Sequence, residues 1–320
     1  LHVNYTGNEA DFRSSCATSF ADLGCSQKDI DGLVTQVHDE VKRRKNLHDE
    51  SEKRKWIVRC PYKRLHPDCF RFKESYLDPH FLRIVKYTKS GKANLKGLLS
   101  LPDVKVFNEH QLYVFPVFTR EFCRTFSEEL DNFNQSNLPK GRPNTMNNYG
   151  VLLDELGFDD NFLNPLLKQY IQPLSCRMFP TDGGCTLDSY KAFTVKYKMG
   201  DDLQLGYHYD NAEVSLNVCI GKDFTGGNLY FGDMKEVPLS ESKCVEIEHQ
   251  QGYGILHRGQ QMHGALPILS GERQNIIVWM RSSEIRNKRC PMCGKRPNIV
   301  KVAGKGDGFA VPCVSLCSTS

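Results

Sequence analysis

Beyond residue 188 the chain alternates apolar and polar residues in short runs separated by glycine-rich breaks. AFTVKYKMG, AEVSLNVCIG, GGNLYFGD, GYGILH and RQNIIVWMR each read as a strand, because successive side chains of a strand point to opposite faces. In the second run, Val214, Leu216, Val218 and Ile220 alternate with Ser215, Asn217 and Cys219. Gly226 and Gly227 read as turn residues ahead of the next strand. Many short strands with turns between them predict a β-sandwich or barrel.

Upstream, the period lengthens to that of a helix. SQKDIDGLVTQVHDEVKRRKNL opens on Ser26 as an N-cap with Asp29 three residues later, and Ile30, Leu33, Val34, Val37 and Val41 then share one face. LYVFPVF reads as a strand. TREFCRTFSEELDNF reads as a helix capped by Thr119, with Phe122, Cys123, Phe126, Leu130 and Phe133 on one side. PKGRPNTMNNYG has the composition of a loop. DDNFLNPLLKQYIQPL predicts a further helix, with Pro165 in its first turn and Pro173 at its end. Both helices are expected to pack on one outer face of the strand block.

These textures divide the chain into a mainly helical N-terminal region over 1–105, a mixed unit over 106–285 that holds the strands, and a cysteine-containing tail over 286–320. The expected class is α+β. With 39% hydrophobic and 25% charged residues, the composition is that of an ordinary folded chain. No stretch approaches the roughly 18–20 consecutive apolar residues of a membrane span. A net charge of +4 is too small to imply a nucleic-acid partner. The basic run VKRRKNLHDESEKRKWIVRCPYKR reads as a solvated helix face and loop, or as a docking surface for an acidic partner or RNA. Thirteen cysteines without regular spacing through the first 280 residues read mostly as buried or free thiols. They predict a reducing, intracellular setting, cytoplasm or nucleus. The chain opens on Leu1, as a fragment would, so the lack of a signal peptide carries little weight.

The candidate chemistry begins at GYHYDNAE, where His208 and Asp210 open a strand that should enter a core. At i and i+2 on a strand both would share a face, about 7 Å apart along the chain. An ordinary hydrogen-bonded pair at a strand end is one reading. Two ligands of a metal ion is the other, and it needs a third ligand. His263 in LHRGQQMHGALPILSGERQNIIVWM supplies one, with His257 and then His249 as rivals. Two histidines and a carboxylate form the facial set that holds non-haem Fe(II) with open positions. Arg273, ten residues after His263, offers a planar fork for a carboxylate, and Asn275 would share its face of the strand.

The order HYD, GGNLYF, HGALPILSGERQNIIVW resembles the double-stranded β-helix core of Fe(II)/2-oxoglutarate oxygenases, in the branch of the prolyl 4-hydroxylases and procollagen lysyl hydroxylases. RPNTMNNYGVLLDELGF, KYKMGDDLQLGYHYDNAEVSLNVCIGKDFTGGNLYFGDM and RNKRCPMC narrow the resemblance to the second type of 2-oxoglutarate and iron-dependent oxygenase domain-containing proteins. It is strong over 136–295 and weaker before 105, where NLKGLL belongs to it. The resemblance implies a double-stranded β-helix (jelly-roll) catalytic domain with supporting helices. It implies His208, Asp210 and His263 as iron ligands, Arg273 as the residue binding the C5 carboxylate of 2-oxoglutarate, and Tyr197 as a residue that helps hold this cosubstrate. Asn275 departs from the Ser or Thr frequent at its position in relatives. It further implies a dioxygenase using O2 and 2-oxoglutarate, with L-ascorbate as a rescuer of over-oxidised iron. The expected products are succinate, CO2 and a hydroxylated substrate, most naturally a protein side chain such as Pro or Lys. An oxygenase acting on nucleic acid, and a silent interaction module keeping the fold, are the alternatives.

In the tail, Cys290 and Cys293 of CPMCG and Cys313 and Cys317 of CVSLC have the spacing of a tetrahedral zinc site, or are unligated cysteines.

Overall fold

The computed structural model describes residues 7–107, 109–297, 299–301 and 313–315; of residues 44, 45, 299–301 and 313–315 only the backbone is described. Helix α1 (Glu9–Asp22) is followed by the 33-residue α2 (Gln27–Arg59), which opens with the expected capping box between Ser26 and Asp29. Phe12 and Phe20 of α1 meet Val34 of α2, with Ile30, Leu33, Val37 and Val41 alongside, so the expected face of α2 is where α1 lies. The basic run continues the same helix as far as Arg59 and leaves it as a turn and loop over 60–64. Several of its cations are paired within the chain: Arg43 with Glu40, Arg54 with Glu155, and Lys55 with Glu52 and Asp154.

Two short helices, α3 (Pro79–Thr88) and α4 (Leu95–Leu99), precede strands β1 (Lys105–Phe107) and β2 (Leu112–Pro116) and helix α5 (Arg120–Gln135). Thr119 caps α5 through the Phe122 amide. Phe122, Phe126, Leu130 and Phe133 are each at most 2% exposed. At about 1.5–3 kcal/mol for each buried side chain, this face anchors α5 far more strongly than its cap does. After a short helix α6 (Leu153–Leu156), residues 159–178 form one irregular helical stretch. Pro173 does not end it, against the sequence expectation. A wide turn over Leu167–Ile171, closed by a bond from the Gln172 amide to the Leu167 carbonyl, precedes Pro173. The similar turn Asp159–Leu163 precedes Pro165. Such i→i+5 turns shift the carbonyl ladder ahead of each proline, so the missing N–H and the ring are accommodated.

The strand block contains β3 (Ser189–Lys198), β4 (Leu205–His208), β5 (Val214–Gly221), β6 (Phe224–Gly226), β7 (Leu229–Met234), β8 (Val245–Ile247), β9 (Tyr253–Arg258), β10 (Gln261–Ala265) and β11 (Ile268–Arg281). One sheet runs β1-β2-β9-β5-β11-β3, with β6 also paired to β11, and the other runs β4-β10-β7-β8. All pairings are antiparallel. The chain passes repeatedly between the sheets: β3 in one, β4 in the other, β5 back in the first. That winding is the double-stranded β-helix, or jelly roll, that the resemblance implied.

Strand β5 shows why the alternation mattered. It is buried along its whole length. Val214, Leu216, Val218 and Ile220 join the main core with α5 and the 159–178 stretch, on the outer face of the larger sheet. Ser215, Asn217 and Cys219 point the other way, into the space between the sheets. The same core includes Val58, Phe70, Phe81 and Leu98, so it draws on residues on both sides of position 105.

Two further details differ from expectation. Arg273 does not open its strand: β11 begins at Ile268, and Gly271 is a bend inside it with φ +76. Most described cysteines are thiols, yet Cys176 and Cys185 form a disulfide.

Candidate metal centre and acid pocket

His208 ends β4, and His263 sits on β10 directly opposite it in the antiparallel register. Asp210 is not on the strand, as the sequence suggested. It lies two residues past the end of β4, where its amide donates to the Gly259 carbonyl at 2.7 Å. The turn brings the carboxylate back against both rings: Oδ1 of Asp210 is 3.7 Å from Nε2 of His208 and 3.7 Å from Nε2 of His263. Candidate ligand atoms of the three residues all lie within 4.8 Å of one another. Two atoms each about 2.1 Å from one ion can be at most about 4.2 Å apart, so each imidazole–carboxylate spacing suits a shared ion.

The hydrogen bonds around the trio set its chemistry. Nδ1 of His208 lies 2.8 Å from the Gly206 carbonyl, and Nδ1 of His263 lies 2.9 Å from the Gln261 carbonyl. A carbonyl can only accept, so each Nδ1 donates and each Nε2 is left with a lone pair facing Asp210. Burial, then the neighbouring His263, pushes the His208 pKa down to about 4, so its ring is neutral near pH 7. Asp210 is 3% exposed. Burial alone would raise its pKa, yet the surrounding imidazoles and the Ser215 hydroxyl, which donates to Oδ2 at 2.6 Å, hold it below the usual carboxylate range. A neutral His208 ring, a His263 ring that turns its Nε2 the same way, and an ionised carboxylate form a donor set suited to a divalent metal.

The rival histidines are spoken for or set apart. Nε2 of His249 donates to the Tyr253 carbonyl at 3.0 Å, which leaves Nδ1 to accept from Asn275 at 3.2 Å. Neither nitrogen is left for an ion. His257 lies edge-on to His263, with ring centroids 4.8 Å apart, and its Nδ1 donates to the Arg258 carbonyl. It is outside the close group of three.

A pocket of about 450 Å³, part of it open to solvent, joins this trio to Arg273. Phe193, Leu205, Leu229, Ile277 and Trp279 supply apolar walls. Arg273 is 1% exposed, and its guanidinium carbon stands 4.4 Å from the centre of the Tyr197 ring. One terminal nitrogen donates to the Gly227 carbonyl, while Nε has no hydrogen-bond partner. Gly227 has φ +66, and a Cβ there would meet that terminal nitrogen at 3.2 Å. The paired glycines thus form a turn and also let the backbone approach the arginine. A buried, pocket-lining cation with an unpartnered N–H is costly alone and is suited to an anionic oxygen ligand.

Asn275 lines the same pocket, but its amide is committed. Its Nδ2 donates to Asn217 Oδ1 at 2.7 Å as well as to His249. The tautomer of His249 fixes this orientation, so what remains unpartnered is the acceptor Oδ1. An acceptor offers nothing to a carboxylate. Ser215, Asn217, Asn144, Asn147 and Trp279 were not singled out from the sequence. The polar face of β5 was a usable signal for the first two, because a buried strand in a two-sheet barrel sends that face inward. The loop asparagines carried no periodic signal.

In the tail, Cys290 is buried, Cys293 is nearby, and Cys313 lies in a short strand whose side chains are not described. Cys317 lies outside the described residues.

A family model described as OGFOD2-like domain matches residues 58–184. The 2-oxoglutarate and iron-dependent oxygenase domain-containing protein 2 of Danio rerio is 49% identical over 97% of this chain and 90% of its own length. The protein of the same name from Xenopus tropicalis is 51% identical over 97% and 88%. The chain belongs to this oxygenase family. A multifunctional procollagen lysine hydroxylase and glycosyltransferase of Rattus norvegicus is 25% identical over 68% of this chain and 28% of its own. Among solved structures, a prolyl 4-hydroxylase from Pseudomonas putida aligns with a TM-score of 0.37 and 15% identity, over 54% of this chain and 93% of that one.

Proposed function

We propose that the chain is an Fe(II)- and 2-oxoglutarate-dependent dioxygenase that hydroxylates a protein side chain. The observation that carries this reading is one pocket lined both by the clustered His208, Asp210 and His263 ligand atoms and by Arg273, whose Nε is unpartnered. His208 and His263 would bind the ion through Nε2, held in the right tautomer by the Gly206 and Gln261 carbonyls. Asp210 would bind through Oδ1, with Ser215 holding its other oxygen. The carboxylate reduces the ion's charge to a net +1, which still attracts a dianionic cosubstrate, while Arg273 and Tyr197 take the far carboxylate. Bound Fe(II) and 2-oxoglutarate supply the chemistry: O2-dependent oxidation of a C–H bond coupled to decarboxylation of the oxo acid to succinate. The apolar walls limit the water around the reacting centre. Ascorbate would serve as a reductant that restores Fe(II).

A protein side chain is favoured as substrate by the similarity to the lysine hydroxylase. Neither Pro nor Lys is preferred by any residue of the pocket. Anaerobic addition of Fe(II) and 2-oxoglutarate should produce a visible charge-transfer band, and admission of O2 should yield succinate. A missing band, or one that survives His208→Ala or Asp210→Ala, overturns the assignment. A band without succinate favours an interaction module or an absent prime substrate.

A further inference from the structure

We infer that Asn147 is a positioning residue for the acid-binding end of the pocket, acting through the hydroxyl of Tyr197. The inference rests on the reading of Arg273 and Tyr197 as the carboxylate-binding pair, and deepens it.

Asn147 lies in the loop after α5, far in sequence from the strands, yet it is 1% exposed and lines the pocket. Its Nδ2 donates to the Tyr197 hydroxyl at 3.1 Å. The orientation of this amide is determined by its neighbours. Oδ1 of Asn144 accepts from the backbone amides of Met146 and Asn147, at 2.8 and 2.7 Å, so the other end of Asn144 is a donor. That donor faces Oδ1 of Asn147 at 3.0 Å. Asn147 must therefore turn its N–H toward Tyr197, and the phenol oxygen must accept.

A hydroxyl that accepts keeps its own hydrogen for another partner. The guanidinium beside the Tyr197 ring offers only donors. Among the described residues no acceptor is bonded to that hydroxyl. The O–H is thus free for an oxygen brought by a ligand, in the same pocket that Arg273, with its unpartnered Nε, also lines. Two adjacent residues of one pocket that each keep a donor without a partner suit a carboxylate.

The loop is held in place without any ligand. Asp202 accepts from the backbone amide and the side chain of Asn148, at 2.7 and 2.8 Å. Arg142 donates to the Asn147 carbonyl at 3.0 Å. The amide of Lys196 on β3 donates to the Tyr149 carbonyl at 3.0 Å. Asn147 therefore directs the Tyr197 proton in advance, which lowers the ordering cost of binding the acid.

The test uses binding rather than turnover. The chain has two tryptophans: Trp56 is 76% exposed, and Trp279 lines the pocket. In a Trp56→Phe background, Trp279 fluorescence reports on the pocket as 2-oxoglutarate is titrated into anaerobic, Fe(II)-loaded protein. Asn147→Ala should weaken 2-oxoglutarate about tenfold, the scale of one hydrogen bond to a charged group. Tyr197→Phe should do the same. The double variant should also lose about tenfold, not about a hundredfold, because Asn147 acts only through the hydroxyl. Asn147→Ser, read in the same way, guards against a folding defect in the alanine variant. A full loss from either Asn147 substitution in the Tyr197→Phe background, or no loss in the parent, overturns the inference while leaving the carboxylate reading intact. If the parent protein does not bind 2-oxoglutarate, both fall together.

Discussion

His208 and His263 face each other across β4 and β10 as register partners, with ring centroids 4.3 Å apart. Neighbouring strands bring two imidazoles side by side, and the turn after β4 adds the carboxylate. The backbone thus gathers the trio before any ion arrives. Its weakest point is Asp210, which lies off the strand and is oriented by its amide and by Ser215. Ser215→Ala removes one of those constraints without touching a ligand. Metal affinity should fall about 10–100-fold, the usual cost of losing such an outer partner. Titration with Mn(II), followed by loss of its free paramagnetic resonance signal, checks this. An unchanged affinity would mean that Ser215 has no part in the site.

Asn275 should matter for stability and not for the cosubstrate. Its N–H groups are spent on Asn217 and His249. Asn275→Ala leaves two buried acceptors without donors, a cost of about 1–3 kcal/mol in unfolding free energy. Affinity for 2-oxoglutarate should stay within about threefold, less than the loss of even one typical net hydrogen bond. Asn275→Asp should differ, because a carboxylate beside Arg273 competes with the ligand and should weaken its binding more than about tenfold. Urea denaturation and calorimetry of the two variants separate these outcomes.

Much of this was legible beforehand, and the reasons are physical. Period-two runs marked β3, β5, β7, β9 and the inner part of β11, because a barrel keeps side-chain alternation even where both faces are buried. His208 and Asp210 stood out because polar groups where a strand enters a core are costly without partners, and His263 and Arg273 by residue type and order. What could not be read were relationships set by turns and register. The placement of Asp210 past β4 depends on a bond to Gly259, and Asn147 reaches Tyr197 from a loop fixed by Asp202. Pro173 misled because a single wide helical turn absorbs it, and no local pattern announces such a turn.

Lys191 gives a pH dependence with a definite sign. Burial, then the nearby Arg281, lowers its pKa to about 8 from 10.5. The unfolded chain therefore binds more protons than the folded one between those values, and stability from this group rises with pH across that window. The cost is full below about pH 8 and fades toward pH 10.5. Lys191→Met should thus raise the unfolding free energy at pH 7 by up to about 3 kcal/mol, at 1.36 kcal/mol per pKa unit. The gain should shrink as both proteins are measured at pH 9 and 10. A gain independent of pH would assign the effect to packing.

The long helix α2 is tied to the catalytic body by a buried carboxylate. Glu155 is 4% exposed and takes two bonds from Arg54, each 2.8 Å, plus one from the Ser51 hydroxyl at 2.7 Å. Removing one partner of a buried pair strands the other charge, which costs about 3–5 kcal/mol when the survivor stays buried. Arg54 can swing toward water and toward Glu50, 3.8 Å away, so Glu155→Ala should cost less than that range. The damage should also be local. Amide exchange should quicken in α2 around residues 51–59 and in α6, while β4, β5 and β10 keep their protection and the metal affinity holds. Equal acceleration in the strands would mean that α2 and the barrel unfold as one unit.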